Sequence, residues 1–381
     1  MNSIERVRAA IDRKPVDQVP LGLYVVDHDT IEKVIGRKTL VRDKINAQIA
    51  LWEGRRDEVA ESYKKDTVEF YRKLDCVDII CFKEAARLPP KDYEPLRPRR
   101  IDERTWEDKH GRVWQASYDS NMITCVEDPN AKEQTYTPEM FQKPVTDVPP
   151  DPSCFEAQDY LIQELGKERY IMGGSGGTTA IVLLGGMENG LMEYALNPET
   201  VRAATAHSVA LQNLHDKYNI RPGQSGVLIE QDMASTKGPM ISPAMFREFC
   251  LPAMTERVAH IKSFNMQVSL HNCGNNLAIL DQIADAGVQC YQSLQRFAGM
   301  ELSVLKKMQG HRMAFWGGVD LEVLVTGGPE DARACVRRAM QDGAPGGGFI
   351  LGPSHSIAFG TRYENFMAMI DEFNKLKTRV F

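Results

Sequence analysis

The sequence predicts an α/β protein that folds as a (β/α)8 barrel with an insertion near the mouth of the barrel. Eight short apolar runs of strand length recur along the chain. Amphipathic stretches such as SPAMFREFCLPAMTERVAHIKSF and PEDARACVRRAMQDG separate most of these runs. Strands that alternate with helices are typical of a parallel sheet, and eight such units favour a closed barrel over an open sheet.

Each predicted strand is rich in β-branched, aromatic or other apolar residues and is bounded by glycine, proline or charged residues. In chain order, the predicted strands are 18–25 (QVPLGLYV), 77–82 (VDIICF), 169–174 (RYIMGG), 225–231 (SGVLIEQ), 266–272 (MQVSLHN), 288–293 (VQCYQS), 312–318 (RMAFWGG) and 348–353 (GFILGP).

The alternation of strands and helices is interrupted between about residues 83 and 150. RLPPKDYEPLRPRR and KPVTDVPPDPS are rich in proline and charge, and DKHGRVW has the composition of a hairpin. This region is either a lid over the barrel mouth or a surface excursion without a catalytic role. We therefore predict one domain over residues 1–381, with an insertion at about 83–150.

The composition excludes several classes of function. A formal net charge of -6 argues against nucleic acid or an anionic membrane surface as the main partner. MNSIERVRAAIDRKPVDQ lacks the apolar core of a signal peptide, and no apolar run approaches the ~20 residues that span a bilayer. The eight scattered cysteines are typical of reduced thiols. We expect a cytoplasmic protein, with a homodimer among the oligomeric states left open.

Polar side chains follow several of the predicted strands at their carboxyl ends, where functional groups gather in barrels of this kind. Any one of them has a structural alternative, such as a helix cap, a buried ion pair or core packing. Their accumulation at adjacent strand ends predicts a functional site. The candidate residues are Tyr24, Glu230, Asp232, His271, Cys273, Trp316 and His355.

His271 and Cys273 are the strongest candidates for metal ligands. Side chains two residues apart on a strand share a face. The two residues lie ~6.6 Å apart along the strand, so both side chains can bind one ion. Imidazole nitrogen and thiolate sulfur are ligands that zinc prefers. Gly274 lets the chain turn away directly after the pair. The alternative is a structural pair, because a two-ligand pattern is short.

Longer motifs resemble a known family. QDMASTKGPMISPAMFREFCLPAM, VSLHNCGNN, FWGGVD, APGGGFILGPSHSI and ENFMAMIDEF look like the uroporphyrinogen decarboxylase superfamily, and more closely like its corrinoid-dependent methyltransferases. The resemblance covers roughly residues 155–375. It implies a (β/α)8 barrel.

The resemblance leaves a choice between two activities. The decarboxylases of this superfamily hold the carboxylates of their substrate with an arginine-rich segment after the first strand. Here that region reads LGLYVVDHDTIEKVIG, without an arginine between positions 14 and 36. A porphyrinogen would meet few cations there, which favours the methyltransferase branch and leaves decarboxylation as the alternative.

The methyltransferases use zinc held by a His-x-Cys pair and a later cysteine near the last strand. His271 and Cys273 match the pair, whereas we place Gly347 of APGGGF at the position of the later cysteine. A zinc ion with one sulfur ligand fewer is a harder and more electrophilic metal centre. We therefore predict transfer of a methyl group from a small O- or N-methyl donor, such as a methoxyaromatic, to a corrinoid protein. Transfer from a methylcorrinoid to a thiol or tetrahydrofolate is a further alternative.

The third zinc ligand is predicted to be an oxygen of Glu230 or Asp232, because these residues end the strand before His271. A nitrogen of His355, which follows the last predicted strand, is the alternative. Asp232 is also a candidate for proton transfer, and His355 is expected to touch the leaving group of the substrate. Tyr24 and Trp316 are candidates for substrate binding, with packing as the alternative. GGSGGTTA (173–180) is not favoured as a phosphate loop, because it lacks a following GK[ST].

Overall fold

The computed structural model describes residues 1–132, 134–174 and 180–378. Seven strands form one curled parallel sheet, and each strand pairs with the next one along the chain. These strands are Ile79–Cys81, Tyr170–Gly173, Gly226–Glu230, Gln267–His271, Cys290–Gln292, Ala314–Val319 and Phe349–Pro353.

A short segment joins the two edges of this sheet. Leu21 bridges Leu351 of the last strand, and Gly22 bridges Ile79 of the first, both in parallel. The amide of Gly22 donates to the carbonyl oxygen of Leu351 at 2.9 Å. Residues 21–22 therefore act as the missing strand that closes the sheet into a barrel. The predicted (β/α)8 fold is confirmed. The seven observed strands agree with the predicted ranges to within two residues at their ends, and the first predicted range, 18–25, is reduced to the bridges at residues 21–22.

Helices surround the barrel, and the longer ones bury one face. In Pro329–Gly343, for example, Ala332, Cys335, Val336, Ala339 and Met340 are buried at the spacing of one helix face. The α-helices are Ser3–Ile11, His28–Ile35, Lys44–Trp52, Arg56–Lys73, Glu156–Leu165, Met187–Leu196, Pro198–Asn219, Pro243–Met245, Leu251–Ser263, Leu280–Asp285, Leu302–Gln309, Leu321–Thr326, Pro329–Gly343 and Tyr363–Leu376, with short 3-10 turns at Pro138–Phe141, Pro152–Phe155, Leu277–Ile279 and Arg296–Ala298.

The amphipathic stretch before the strand Gln267–His271 forms a helix with one irregular turn. Phe246–Cys250 is a π-helical turn that leads into the helix Leu251–Ser263. Pro252 has no amide hydrogen to donate to the preceding turn. The wider turn accommodates this missing hydrogen bond, as π-turns inside α-helices commonly do.

The insertion contains a four-stranded antiparallel sheet made of Arg99–Arg100, Thr105–Glu107, Val113–Ser117 and Met122–Glu127. The hairpin predicted at DKHGRVW is confirmed, because Glu107 pairs with Val113 across it. Trp106 and Ala116 pack with Ile45 and Trp52. The inserted sheet is thus anchored to the helix Lys44–Trp52, beside the barrel mouth. A second, two-stranded sheet pairs Ala234–Ser235 with Gly238–Pro239.

Inward and outward side chains alternate along the barrel strands, as strand geometry requires. Leu228 belongs to the cluster inside the barrel, whereas Val227 and Ile229 belong to the larger core between barrel and helices. The interior cluster also contains Tyr24, Cys81, Met172, Cys290, Trp316 and Ile350. None of the described helices is both long and apolar enough to cross a membrane.

Candidate functional site

Strand register brings the candidates Glu230, His271 and Trp316 into one layer near the barrel mouth. Glu230 pairs with His271, His271 with Gln292, and Gln292 with Trp316 across successive strands. Glu230 lies two residues after the inward-facing Leu228, so its side chain faces the same interior. The layer therefore combines a carboxylate, an imidazole and an amide above the apolar interior.

His271 is held by its neighbour on the next strand. The residue is 5% exposed, and its Nδ1 is hydrogen-bonded to the Oε1 of Gln292. Because an amide oxygen can only accept, Nδ1 carries the hydrogen and Nε2 keeps a lone pair. Nε2 faces the Sγ of Cys273 at 3.4 Å. The imidazole is thus oriented as a ligand on the side of Cys273.

Cys273 is positioned by the turn that follows the strand. Its amide donates to Oδ1 of Asp232 at 2.9 Å, and its Sγ lies 3.2 Å from the Oγ of Ser293. Gly274 has a φ of +81°, and a Cβ there would lie 2.4 Å from the carbonyl oxygen of Ala234. The sequence therefore needs glycine at 274 to aim the thiol at His271.

His355 completes a group of three donors. Ligand atoms of His271, Cys273 and His355 all lie within 4.8 Å of one another. The rings of the two histidines are 5.3 Å apart and nearly perpendicular. Two imidazole nitrogens and one sulfur are a donor set that zinc accepts, and catalytic zinc commonly keeps three protein ligands. The residues present fit this metal.

Burial sets the protonation of these donors. It lowers the pKa of both His271 and His355, so both imidazoles are neutral at neutral pH. Burial raises the pKa of Cys273 to about 12, so its sulfur carries a proton unless a cation displaces it. A metal ion that bound here would meet two ready nitrogen ligands and would release one proton from the thiol.

Tyr24 connects the three donors to Glu230. Its ring stacks on His271 with 4.3 Å between ring centroids, and its hydroxyl donates to Oε1 of Glu230 at 2.8 Å. Tyr24 has a φ of +66°, which is uncommon for a bulky residue and marks a strained position. Burial raises the pKa of Tyr24, so its hydroxyl remains a donor. Lys83 forms an ion pair with Oε2 of Glu230.

The remaining candidates occupy different places. Glu230 lies outside the group of three donors, and both of its oxygens are engaged by Tyr24 and Lys83. Asp232 is exposed and contacts the site through the amide of Cys273. Trp316 is fully buried, and its indole N–H donates to the carbonyl oxygen of Gly22 at 2.9 Å.

Gly347 does not occupy the position of a third ligand, which corrects its placement from the sequence. It precedes the strand Phe349–Pro353, at the end of the barrel opposite to the mouth, and a Cβ there would lie nearest to the carbonyl oxygens of Lys14 and Arg13. His355 follows the same strand at the mouth. The length of one strand separates the two positions, so a missing cysteine at 347 has no consequence for the site.

Sequence reasoning missed three residues that shape the site. Gln292 orients His271, Ser293 contacts the thiol of Cys273, and Lys83 pairs with Glu230. The rule that functional groups follow strand ends could have found Lys83, which comes two residues after Cys81. The predicted insertion begins at about residue 83 and therefore includes Lys83. The roles of Gln292 and Ser293 depend on pairing between strands, which has no local signal.

A cavity of about 520 Å³ adjoins Glu230 and Lys83. This volume is in the range of small-molecule sites. The residues that line it are Arg42, Cys81, Phe82, Lys83, Ala86, Arg87, Phe155, Gln158, Met172, Gly173, Gly174, Asn219, Leu228 and Glu230. The site thus has a pocket beside Glu230 and Lys83, and Tyr24 connects Glu230 to the three metal-competent donors.

Comparisons with known proteins agree with this architecture. A methylated-thiol–coenzyme M methyltransferase of Methanosarcina mazei is 27% identical over 192 residues, 49% of this chain and 48% of that protein. A uroporphyrinogen decarboxylase of Thioalkalivibrio sulfidiphilus is 28% identical over 144 residues, 37% of this chain and 40% of that protein. The chain thus spans less than half the length of these curated relatives.

The solved structure of a methyltransferase from Methanosarcina mazei has the same fold, with a TM-score of 0.67, 18% sequence identity and coverage of 98% of this chain and 99% of that one. A family model described as uroporphyrinogen decarboxylase (URO-D) matches residues 121–376. Because this match covers more than half of the sequence, the chain belongs to the uroporphyrinogen decarboxylase family.

Proposed function

We propose that this chain is an enzyme, a methyltransferase that takes a methyl group from a small O- or N-methyl donor, such as a methoxyaromatic, and passes it to a corrinoid protein. The observation that carries the proposal is the group of donor atoms of His271, Cys273 and His355 close to a cavity of small-molecule size. A curated relative that is named a methyltransferase supports the transfer of a methyl group.

We assign zinc to His271, Cys273 and His355. In this assignment His355 takes the third place that the sequence favoured for an oxygen of Glu230 or Asp232. The support is geometric, since Glu230 is engaged by Tyr24 and Lys83 while Asp232 accepts the amide of Cys273. When bound, zinc would supply Lewis-acid activation of the oxygen or nitrogen that carries the methyl group.

The chain's own residues would stabilise the leaving group. The methyl group leaves without its bonding electrons for the corrinoid of the partner protein, so negative charge develops on the donor's oxygen. Lys83 lines the cavity and carries positive charge there. Glu230 holds the ammonium in place, and Tyr24 holds Glu230. We propose Lys83 as the group that meets the developing charge and gives a proton to the leaving oxygen.

Metal content tests the assignment of the ligands. Cys273→Ala and His355→Ala should each lower zinc well below the one ion per chain expected for the wild type, because two remaining ligands bind zinc weakly. Glu230→Gln should retain zinc. Elemental analysis after dialysis measures all three variants. Loss of zinc in Glu230→Gln with retention in His355→Ala would reverse the assignment, and a wild-type protein that takes up no zinc would refute it.

Methyl transfer is tested directly with a reduced corrinoid protein. Candidate methoxyaromatics and methylamines are added to the enzyme, and the absorbance of the methylated corrinoid is followed. We expect methylation with at least one donor class and its loss in Cys273→Ala. Decarboxylation of a porphyrinogen without any corrinoid methylation would show that the alternative activity of the family is the correct one.

A thiol acceptor is the second candidate, because the methyltransferase relative is named for coenzyme M and methylated thiols. An assay in the reverse direction, from the methylated corrinoid protein to the acceptor, distinguishes this candidate. The methylated corrinoid protein is mixed with the enzyme and either a thiol or tetrahydrofolate, and loss of the methylcorrinoid absorbance is measured. Fast demethylation by a thiol, with no methylation from ethers or amines, would establish this direction.

A further inference from the structure

The segment after the strand Cys290–Gln292 connects two of the three metal-competent donors. Ser293 is the first residue of this segment and is fully buried. Its Oγ lies 3.2 Å from the Sγ of Cys273 and donates to the carbonyl oxygen of Ser354 at 2.9 Å. Ser354 directly precedes His355. One hydroxyl thus joins the segment that carries Cys273 to the segment that carries His355.

The backbone of Ser293 has a conformation that is unfavourable for a residue with a side chain. Its φ is +88°, in the left-handed region where glycine is the least strained residue. Residues held in such conformations cluster at active sites and ligand sites. Glycine would relieve the strain at this position but would lack the hydroxyl. The strain therefore points to a use of the serine side chain.

The groups on both sides of this hydroxyl are held in place by other hydrogen bonds. The amide of Ser354 donates to the carbonyl oxygen of Val319 at 2.7 Å. On the other side, the amide of Gly274 donates to Oε1 of Gln295 at 2.7 Å and fixes the turn that directly follows Cys273. The hydroxyl therefore lies between a fixed carbonyl group and a sulfur on a fixed turn.

A serine hydroxyl has a single hydrogen, and two acceptors surround it here. In the metal-free protein the thiol of Cys273 has a hydrogen of its own, and the hydroxyl donates to the carbonyl oxygen of Ser354. A sulfur bound to a metal ion has lost its hydrogen, and its negative charge makes it a strong acceptor. The distance of 3.2 Å between Oγ and Sγ allows this second hydrogen bond without movement of either residue.

We infer that Ser293 is a positioning residue of the metal site. Its hydroxyl sets the separation between the sulfur of Cys273 and the segment of His355, and it donates to this sulfur once a metal ion is bound. The inference rests on the metal site of the proposed function and is independent of the identity of the methyl donor and acceptor. A hydrogen bond to a ligand sulfur withdraws electron density from the metal, so Ser293 also makes the ion a stronger Lewis acid.

Titration of the full chain with cobalt(II) ions tests this inference. Cobalt(II) accepts the same ligands as zinc and, unlike zinc, absorbs visible light. Ser293→Ala and Ser293→Gly both remove the hydroxyl and should bind the ion about 10–100-fold more weakly than the wild type, which is the usual effect of removing a hydrogen-bond partner of a metal ligand. Ser225→Ala is the matched control, because it removes a buried hydroxyl directly before the strand Gly226–Glu230, at the end of the barrel opposite to the mouth. This variant should bind cobalt(II) as the wild type does.

The absorption spectrum of the cobalt(II) protein reports on the sulfur directly. A sulfur that loses a hydrogen bond gives up its electrons more easily, so its charge-transfer band to cobalt(II) moves to longer wavelength. We expect this shift in both variants of Ser293 and not in Ser225→Ala. Cys273→Ala should lack the band, which assigns it to this sulfur. Weaker binding without a shift of the band would overturn donation to the sulfur.

Melting temperatures separate the role of the hydroxyl from backbone strain. Ser293→Gly should melt at a higher temperature than Ser293→Ala, because only glycine relieves the strain at a φ of +88°. Equal losses of metal affinity in these two variants of unequal stability would assign the loss to the missing hydroxyl. If Ser293→Ala loses affinity while Ser293→Gly keeps it, the effect belongs to folding, and the inference is wrong.

The outcomes separate this inference from the proposed function. Weaker binding and a shifted band in both variants of Ser293 support the inference, even if no corrinoid protein is methylated. Wild-type affinity and an unshifted band in both variants overturn it, even if methyl transfer is found. A wild-type protein that binds neither zinc nor cobalt(II) overturns it together with the zinc assignment.

Discussion

Lys83 stands between the cavity and the carboxylate of Glu230, and its ammonium lies 5.6 Å from the centroid of the Tyr24 ring. Replacing it by methionine removes the charge that meets the leaving oxygen. We expect a rate loss of about 10²–10⁴-fold for an anisole-type donor, the range for a positioned acid. A nitrophenyl methyl ether should lose less than about tenfold, because its leaving oxygen needs no proton. Single-turnover methylation of the corrinoid protein measures both rates.

Two variants control for a structural effect of this change. Lys83→Arg keeps the charge and should restore part of the rate with the poor leaving group. Lys91→Met removes a lysine from an exposed position of the same region and should leave both rates unchanged. Equal losses with good and poor leaving groups in Lys83→Met would assign the residue to binding or folding instead of proton transfer.

Glu84 is a buried carboxyl directly after Lys83. Its Oε1 accepts the amide of Val26 at 2.8 Å and the hydroxyl of Tyr71 at 3.3 Å. Among the described residues, no hydrogen-bond partner reaches its Oε2. Burial raises the pKa of Glu84 from 4.5 to about 7. In the folded protein this carboxyl therefore holds a proton that the unfolded chain has already lost.

Stability should consequently fall as the pH rises. The raised pKa means that the native state binds more protons than the unfolded state between pH 4.5 and 7. The free energy of unfolding should drop by up to about 3 kcal/mol across this window and stay low above it. Urea unfolding should show this drop in the wild type and not in Glu84→Gln. Glu188→Gln, at an exposed position, should behave as the wild type, and parallel curves for Glu84→Gln and wild type would contradict the prediction.

Besides the packing of Trp106 and Ala116, one buried amide attaches the inserted sheet to the neighbouring part of the chain. The Nδ2 of Asn121 donates to the carbonyl oxygen of Arg42 at 2.9 Å and lies 3.2 Å from Nδ1 of His28. Its Oδ1 accepts the amide of Ile45 at 3.3 Å. These partners belong to the chain between the closing segment 21–22 and the strand Ile79–Cys81. Asn121 therefore joins the sheet to the rim of the barrel.

Asn121→Ala should loosen the sheet without unfolding the barrel. The substitution leaves buried backbone groups unsatisfied, at a cost of about 1–3 kcal/mol, and places alanine at a φ of +48°. Hydrogen exchange should become faster in 99–127 and stay unchanged in the barrel strands. Asn130→Ala removes an exposed amide that donates to the carbonyl oxygen of His110 and serves as the control. If hydrogen exchange in 99–127 is equally fast in both variants, the packing of Trp106 and its neighbours holds the sheet instead.

The whole barrel is closed by residues 21–22, and the closure is tightly packed. A Cβ at Gly22 would lie 2.7 Å from two carbons of the Trp316 indole, which also donates to the carbonyl oxygen of Gly22. Gly22→Ala should therefore separate the first segment from the last strand and destabilise the protein by about 1–3 kcal/mol, as overpacking does. The melting temperature measures this. Gly174→Ala, where a Cβ meets no atom of the described residues within 4 Å, should melt as the wild type. Equal melting temperatures for Gly22→Ala and the wild type would show that the Trp316 indole can shift to accommodate the added methyl group.

The sequence by itself determined the strands and the first two donors. Apolar runs separated by amphipathic stretches predict parallel strands, because side-chain periodicity follows directly from backbone geometry. The spacing of His271 and Cys273 places both on one face of a strand end for the same reason. Local chemistry decides these features, and they can be found without knowing which strands are neighbours.

Tertiary structure decided which side chains meet. Glu230 ends the strand beside His271, yet Lys83 and Tyr24 from distant parts of the chain engage its oxygens and leave the third place among the donors to His355. The orienting contact of Gln292 with His271 likewise requires the register of two strands. Contacts between residues far apart in sequence depend on how the barrel closes, and the spacing of residues along the chain carries no record of that closure.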